Sequence, residues 1–124
     1  MAINEAIHLP DEDRFRYLIN SMVKHRELWL LKEREGFYAM FEDDEARSYI
    51  PIWPDQESAA FFATDDWEGY LPDRMGIGEF LSWLDELKQD EIFIGAYPNT
   101  SMQSLSVDPV NLKKNILEAQ GTQQ

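Results

Sequence analysis

The chain of 124 residues contains no cysteine and only two histidines, His8 and His25. Without thiols it cannot form disulfides, use a thiolate nucleophile or hold zinc or an iron–sulfur centre through cysteine. Histidine is the usual general base near neutral pH. His8 precedes the first predicted helix and His25 follows a lysine at its basic end, so we interpret both as structural. We expect no cofactor and no metal site.

Basic residues are scarce as well, with 11 against 24 acidic ones and a net charge of −13. A phosphate backbone and an anionic lipid surface are bound by clustered lysine and arginine. We therefore expect no nucleic-acid partner and no membrane partner. The uninterrupted apolar runs are only a few residues long, residues 28–31 for example, and fall far short of the roughly 20 residues that span a bilayer. The N-terminus lacks the pattern of a signal peptide, which favours a cytoplasmic protein.

Sequence motifs of catalysis are also missing. The chain has no Gly-x-Ser-x-Gly nucleophile elbow and no glycine-rich phosphate loop. Gly76 and Gly78 precede an amphipathic helix, where they fit a turn and a cap. The acidic run Asp43-Asp44-Glu45 lacks the alternating ligands and central glycine of a calcium loop. No catalytic residue is predicted, and the pattern favours a non-enzymatic protein over an enzyme.

Apolar periodicity predicts an α+β fold in a single domain, 1–124, with residues 1–10 and 121–124 loosely ordered. We expect about four helices against a mainly antiparallel or mixed sheet of four to five strands. The predicted helices cover 11–24, 55–63 and 77–89, with a last one from Pro109, and Asp11 and Asp108 act as N-caps. The predicted strands cover 27–32 and 37–41 as a hairpin, then 47–53, 91–97 and 105–107. Pro51 predicts an edge position or a bend, and residues 65–73 are expected to form an ordered loop.

The acidic residues are concentrated between Glu42 and Asp73, where ten acids stand against Arg47 alone. They can be interpreted as solvated turns and caps that keep the protein soluble. They can also form an acidic surface with exposed aromatic rings that attracts a basic partner. The second interpretation predicts an accessible Trp67 surrounded by acids. Its candidate binding residues are Trp53, Asp55, Asp65, Asp66, Trp67 and Glu68.

Several aromatic and apolar segments form a recognisable series along the chain. They are Leu28-Trp29-x-Leu31, Gly36-Phe37, Pro51-Ile52-Trp53-Pro54 before the Ala59-Ala60 helix, Trp67, and Phe80 to Leu84 before an apolar strand. Together these segments resemble a known bacterial family, domain of unknown function 2750. The resemblance spans about Phe15 to Leu117. It implies a small standalone bacterial cytoplasmic protein and brings no catalytic residues with it.

Two functions remain open from the sequence. The first is a non-enzymatic protein-interaction or regulatory module whose acidic segment binds a basic or mixed-charge protein, for example as a toxin-neutralising immunity protein. The alternative is an enzyme or small-ligand binder with a pocket of scattered carboxylates and aromatic rings. A deep pocket that combines two convergent acids with Arg47, Arg74 or Tyr70 would favour the alternative.

Overall fold

The computed structural model describes residues 4–42, 45–64, 67–101 and 103–122. These ranges hold the helices α1 (Asp11–His25), α2 (Gln56–Phe61), α3 (Ile77–Gln89) and α4 (Pro109–Thr122). They also hold the strands β1 (Glu27–Lys32), β2 (Phe41–Glu42), β3 (Ser48–Ile52), β4 (Leu71–Gly76), β5 (Ile92–Ala96) and β6 (Leu105–Val107). The predicted bounds of α1, α3 and β6 are confirmed to within one residue.

Strand β4 is the element that local sequence did not predict. Its sequence contains proline, aspartate and glycine, which are depleted in strands. It nevertheless pairs antiparallel with the whole of β1, from Glu27 opposite Gly76 to Lys32 opposite Leu71. The prediction of a loop over residues 65–73 is therefore wrong at its C-terminal end, because the edge of β1 supplies hydrogen bonds that override local propensity.

The hairpin predicted between β1 and residues 37–41 forms only near its turn. Lys32 and Tyr38 make an isolated bridge, and the Ala39 N–H donates to the Leu31 carbonyl at 2.8 Å. Further along the same edge of β1, Trp29 is bridged to Trp53. Because Trp53 takes another part of that edge, the predicted strand over 37–41 is wrong. Only Tyr38 bridges to β1, and the next strand, β2, begins at Phe41.

The second sheet has four strands in the order β2-β3-β5-β6, with β3 and β5 parallel and the other pairs antiparallel. Pro51 is predicted to lie at an edge or at a bend. β3 is an inner strand, so Pro51 does not lie on an edge strand. Its missing N–H still leaves no gap in the ladder, because β2 pairs only with Ser48 and Tyr49 and stops short of Pro51. On the side of β3 that faces β5, the hydrogen bond next to Pro51 is made by Ile52, whose carbonyl accepts from the Tyr97 N–H just after β5.

The two sheets are joined where Trp29 and Trp53 exchange backbone hydrogen bonds of 2.9 Å. Helices α1, α3 and α4 pack with one another and with the strands around a single apolar core. The α+β class is confirmed, and the described residues form four α-helices, one mixed sheet of four strands and a further sheet of two.

Arg14 is a buried charge at the start of α1. Its side chain is 1% exposed and donates to three backbone carbonyls, those of Leu9, Tyr97 and Gln103, at 2.6–2.9 Å. It also pairs with the Asp11 carboxylate at 2.6 Å. The prediction of Asp11 as the N-cap is wrong: Pro10 holds that position and Asp11 is the first helical residue. Arg14 thereby connects α1 to the N-terminal segment through Leu9, and to both ends of the β5–β6 connection through Tyr97 and Gln103.

Tyr97 follows β5 and is completely buried, with a left-handed backbone at φ 54°. Its hydroxyl and the neighbouring Ser58 hydroxyl are both buried without a hydrogen-bond partner among the described residues. Burial raises the pKa of Tyr97 to about 12, and the negative charge of the Asp55 carboxylate adds to that rise. The phenol is therefore held in its neutral form.

Replacing Tyr97 with phenylalanine is expected to stabilise the protein by about 1 kcal/mol at neutral pH, because an unsatisfied buried hydroxyl is removed. Because the pKa of Tyr97 is higher in the folded chain than in the unfolded one, the free energy of unfolding of the wild type falls as pH rises from 10 toward 12, and Tyr97→Phe lacks this fall. By pH 11 the fall is about 1 kcal/mol. Urea unfolding of the wild type and of Tyr97→Phe between about pH 10 and pH 12 measures this difference. Identical pH profiles of the two proteins would refute the raised pKa of Tyr97.

Candidate functional site

The sequence-predicted binding residues lie around α2 and the segment that follows it. Trp53 is fully buried and stacks on Phe62, with ring centroids 5.2 Å apart. Trp67 is half-buried, and its ring lies 6.5 Å from that of Trp53 and 6.3 Å from that of Phe41. The structure thus brings Trp53 and Trp67 together, with Trp53 enclosed beneath and only Trp67 reaching the surface.

The predicted acids of this region have different environments. Asp55 is the N-cap of α2, where one carboxylate oxygen accepts from the Ser58 N–H at 2.8 Å. Its other oxygen accepts from the Asn4 side chain at 3.0 Å. Glu68 is exposed. Asp65 and Asp66 lie outside the described residues, as do Asp43 and Asp44, so binding by this set stays a prediction.

A different concave surface combines aromatic rings and acids, and we call it the Tyr38 groove. It has a volume of about 290 Å³ and is lined by Tyr38, Met75, Glu79, Ser82, Trp83 and Glu86. The four α3 residues recur at the spacing that puts side chains on one helix face. Tyr38 reaches them because it is bridged to the end of β1, whose partner β4 contributes Met75.

The aromatic wall of the Tyr38 groove is a packed pair. The Tyr38 and Trp83 rings have centroids 5.0 Å apart and are tilted by 46°. The Tyr38 hydroxyl lies 3.4 Å from the Asp73 carboxylate, and the Lys32 ammonium lies 5.4 Å from the Tyr38 ring centroid. This last distance is within the range of a cation–π contact.

The electrostatic character of the groove is negative. Burial raises the pKa of the Tyr38 phenol above its usual value, and the negative charges of Asp73 and Glu79 raise it further. Elsewhere, acids have close cations: Arg74 donates to Glu27 at 2.6 Å and holds the Glu27 pKa below its usual value, and Lys113 binds Asp85 at 3.1 Å. Among the described residues, Glu79 and Glu86 have no cation within 4.0 Å.

A second concavity has a volume of about 520 Å³, and we call it the Arg47 cleft. It lies where β3 and β5 begin and opens to solvent, and its charged lining is Arg47, Lys88, Asp90, Glu91 and Asp108. The Arg47 guanidinium lies 5.7 Å from the Phe93 ring centroid, and one of its nitrogens is 3.6 Å from Glu45. The cleft therefore presents both signs of charge over an aromatic ring.

Sequence comparison assigns the chain to a family. A family model described as "Protein of unknown function (DUF2750)" matches residues 15–116. The chain belongs to this family. No curated protein matches it, and no solved structure does. The resemblance identified from the sequence is thus confirmed, and the Tyr38 groove and the Arg47 cleft both lie within the DUF2750 match.

Two further features bear on what this DUF2750 member can do. Across the described ranges, no group of three or more histidine or acidic side chains is placed to hold a metal ion. In the same ranges, no helix combines the length and the apolar character of a bilayer-spanning segment.

Sequence reasoning missed the Tyr38 groove, although part of its signal is local. Glu79, Trp83 and Glu86 recur at helical spacing, which indicates an acidic and aromatic stripe on α3. Trp83 is expected from its pattern to pack at the core or its rim, and it does contact Phe80, with centroids 6.4 Å apart. Nothing local connects this stripe with Tyr38, because their contact depends on the bridge between Tyr38 and β1.

Proposed function

We propose that this DUF2750 member is a non-enzymatic protein-interaction module that binds a basic partner protein in the cytoplasm. The Tyr38 groove supports the proposal best, because Glu79 and Glu86 line it with the Tyr38 and Trp83 rings, and no cation of the described residues lies within 4.0 Å of either carboxylate. A basic partner would supply the missing charge and would be steered to this negative surface.

Exposed apolar side chains beside the groove add to the support. Phe37 and Leu71 are 67% and 69% exposed, which makes them the most exposed large apolar residues in the described ranges. Phe37 precedes Tyr38, and Leu71 pairs with Lys32 at the same end of β1. Apolar contacts inside a polar rim are the usual anatomy of a protein interface. An immunity protein that neutralises a basic toxin would be one form of this function.

Affinity capture from the native cell tests the proposal. We expect the wild-type chain to retain a basic protein at low salt and to release most of it at high salt, because screening weakens exposed charge pairs. The variant Glu79→Gln/Glu86→Gln should retain about tenfold less. The matched variant Glu5→Gln/Glu12→Gln removes the same charge outside the groove lining and should capture as the wild type does.

The capture experiment can contradict the proposal in two ways. The wild-type chain retaining no basic protein at low salt would refute a basic partner. Equal losses in the groove variant and its matched control would refute a role of the groove and leave only unspecific charge attraction.

The Arg47 cleft favours a second candidate, a binder of a small ligand that carries both charges. It combines Arg47 with the acids Asp90, Glu91 and Asp108, which is the combination that the alternative function requires. Its open form gives a ligand less enclosure than the usual small-molecule pocket. A small-ligand binder predicts that affinity capture retains no protein. The capture experiment therefore discriminates between a small-ligand binder and a protein-interaction module.

A further inference from the structure

We propose that the Tyr38 groove binds an arginine side chain of the partner, with the guanidinium over the Trp83 indole and hydrogen-bonded to Glu79 and Glu86. This inference rests on the proposed function and names the group that the groove recognises.

The size and lining of the groove suit one long side chain. Its volume of about 290 Å³ is lined by Met75 and by the Tyr38 and Trp83 rings, with Ser82 between the two glutamates on α3. Tryptophan is the ring that attracts a cation most strongly. An arginine side chain can lay its apolar stem along such a wall while its charged end reaches the rim.

The chain's own Lys32 marks the position as favourable to a cation. Its ammonium lies over the Tyr38 ring, with Nζ 5.4 Å from the centroid. In the described part of the chain, Lys32 contacts the Tyr38 ring of the pair and forms no ion pair with Glu79 or Glu86. Because Lys32 already occupies the Tyr38 ring, Trp83 is the ring left for an incoming group.

The rim of the groove favours arginine over lysine. Glu79 and Glu86 lie one and three turns into α3 on the same face as Trp83. A guanidinium is planar, stacks on aromatic rings and offers five donors, so it can stack on Trp83 and bind carboxylates at the same time. The ammonium of a lysine is a strongly hydrated point charge, so it is less suited to stacking on Trp83 while it binds both carboxylates.

The test uses three peptides that differ at one central position, which is arginine, lysine or citrulline, flanked by the same lysines. Citrulline keeps the planar shape and removes the charge. Binding to the ¹⁵N-labelled full chain is followed through the indole N–H signals, with the Trp83 signal assigned from the variant Trp83→Phe. We expect the arginine peptide to bind about fivefold more tightly than the lysine peptide and about tenfold more tightly than the citrulline peptide.

Variants locate the binding site. We expect Glu79→Gln/Glu86→Gln to weaken the arginine peptide about tenfold and Glu5→Gln/Glu12→Gln to change it by less than about twofold. The Trp83 signal should shift most. Equal affinity for the arginine and lysine peptides, equal losses in both variants, or shifts that spare Trp83 would each overturn the inference.

The two proposals fail differently. If the chain captures a basic protein but shows no preference among the peptides, the interaction function stands and the arginine inference is wrong. If no basic protein is captured, the proposed function fails whatever the peptides do.

Discussion

Replacing Arg14 with alanine is expected to lower the free energy of unfolding by about 3 kcal/mol, because the change removes a fully buried side chain together with its hydrogen bonds. The change removes four hydrogen bonds at once, three of them to backbone carbonyls. A buried carbonyl that loses its donor retains the full cost of leaving water. Asp11 is half-exposed and can regain water, as can the part-buried carbonyls of Leu9 and Gln103, so the buried Tyr97 carbonyl and the lost packing of the Arg14 side chain account for most of the loss.

Arg16 on the same helix is the matched control. Its side chain is 71% exposed and lies 3.6 Å from Asp13, so Arg16→Ala should change the free energy of unfolding by less than about 1 kcal/mol. Urea unfolding followed by far-UV circular dichroism measures both variants. Similar losses in the two would show that Arg14 is not the connection between the N-terminal segment and the β5–β6 region.

Replacing Trp53 with alanine is expected to destabilise the protein by about 3–5 kcal/mol, as truncation of a buried tryptophan does. Its indole is fully enclosed between Phe62 and Trp67 at the point where the two sheets are bridged. The backbone hydrogen bonds between residue 53 and Trp29 can persist in the variant. Removal of the indole leaves a cavity that the surrounding core cannot fill.

Trp67 provides the comparison for Trp53. It is half-buried, so Trp67→Ala should lower the free energy of unfolding by only about 1–2 kcal/mol. Thermal unfolding of the two variants separates the roles, with a much lower midpoint expected for Trp53→Ala. If Trp53→Ala kept the wild-type midpoint, the indole would not be part of the core, and a direct binding role for Trp53 would gain support.

Arg14 and Trp53 lie in a different part of the molecule from the Tyr38 groove. Arg14 and Trp53 hold the end of the fold where β3 and β5 terminate, whereas the groove lies between α3 and the β1–β4 pair. Neither Arg14 nor Trp53 lines the groove. Substitutions at Glu79 and Glu86, which are exposed helix positions, should therefore change binding while the stability stays close to that of the wild type.

The helices were predictable because their signals are local. The apolar period of α3, and Asp108 with Pro109 at the start of α4, are carried by residues within a few positions of each other. The charge balance and the absence of cysteine likewise follow from composition. The sequence alone therefore determined the fold class, the bounds of the main helices and the sign of the surface charge.

The remaining features depended on contacts between distant segments. β4 is a strand because the edge of β1 was available to it, and its own residues favour a turn. Arg14 is buried because three carbonyls converge on it, and a backbone carbonyl is present at every residue, so no pattern marks which ones will accept. Tyr38 meets Trp83 because the shared edge of β1 places them together. Only the tertiary structure could decide these features, since hydrogen bonding to a distant partner can outweigh the preference of a short segment.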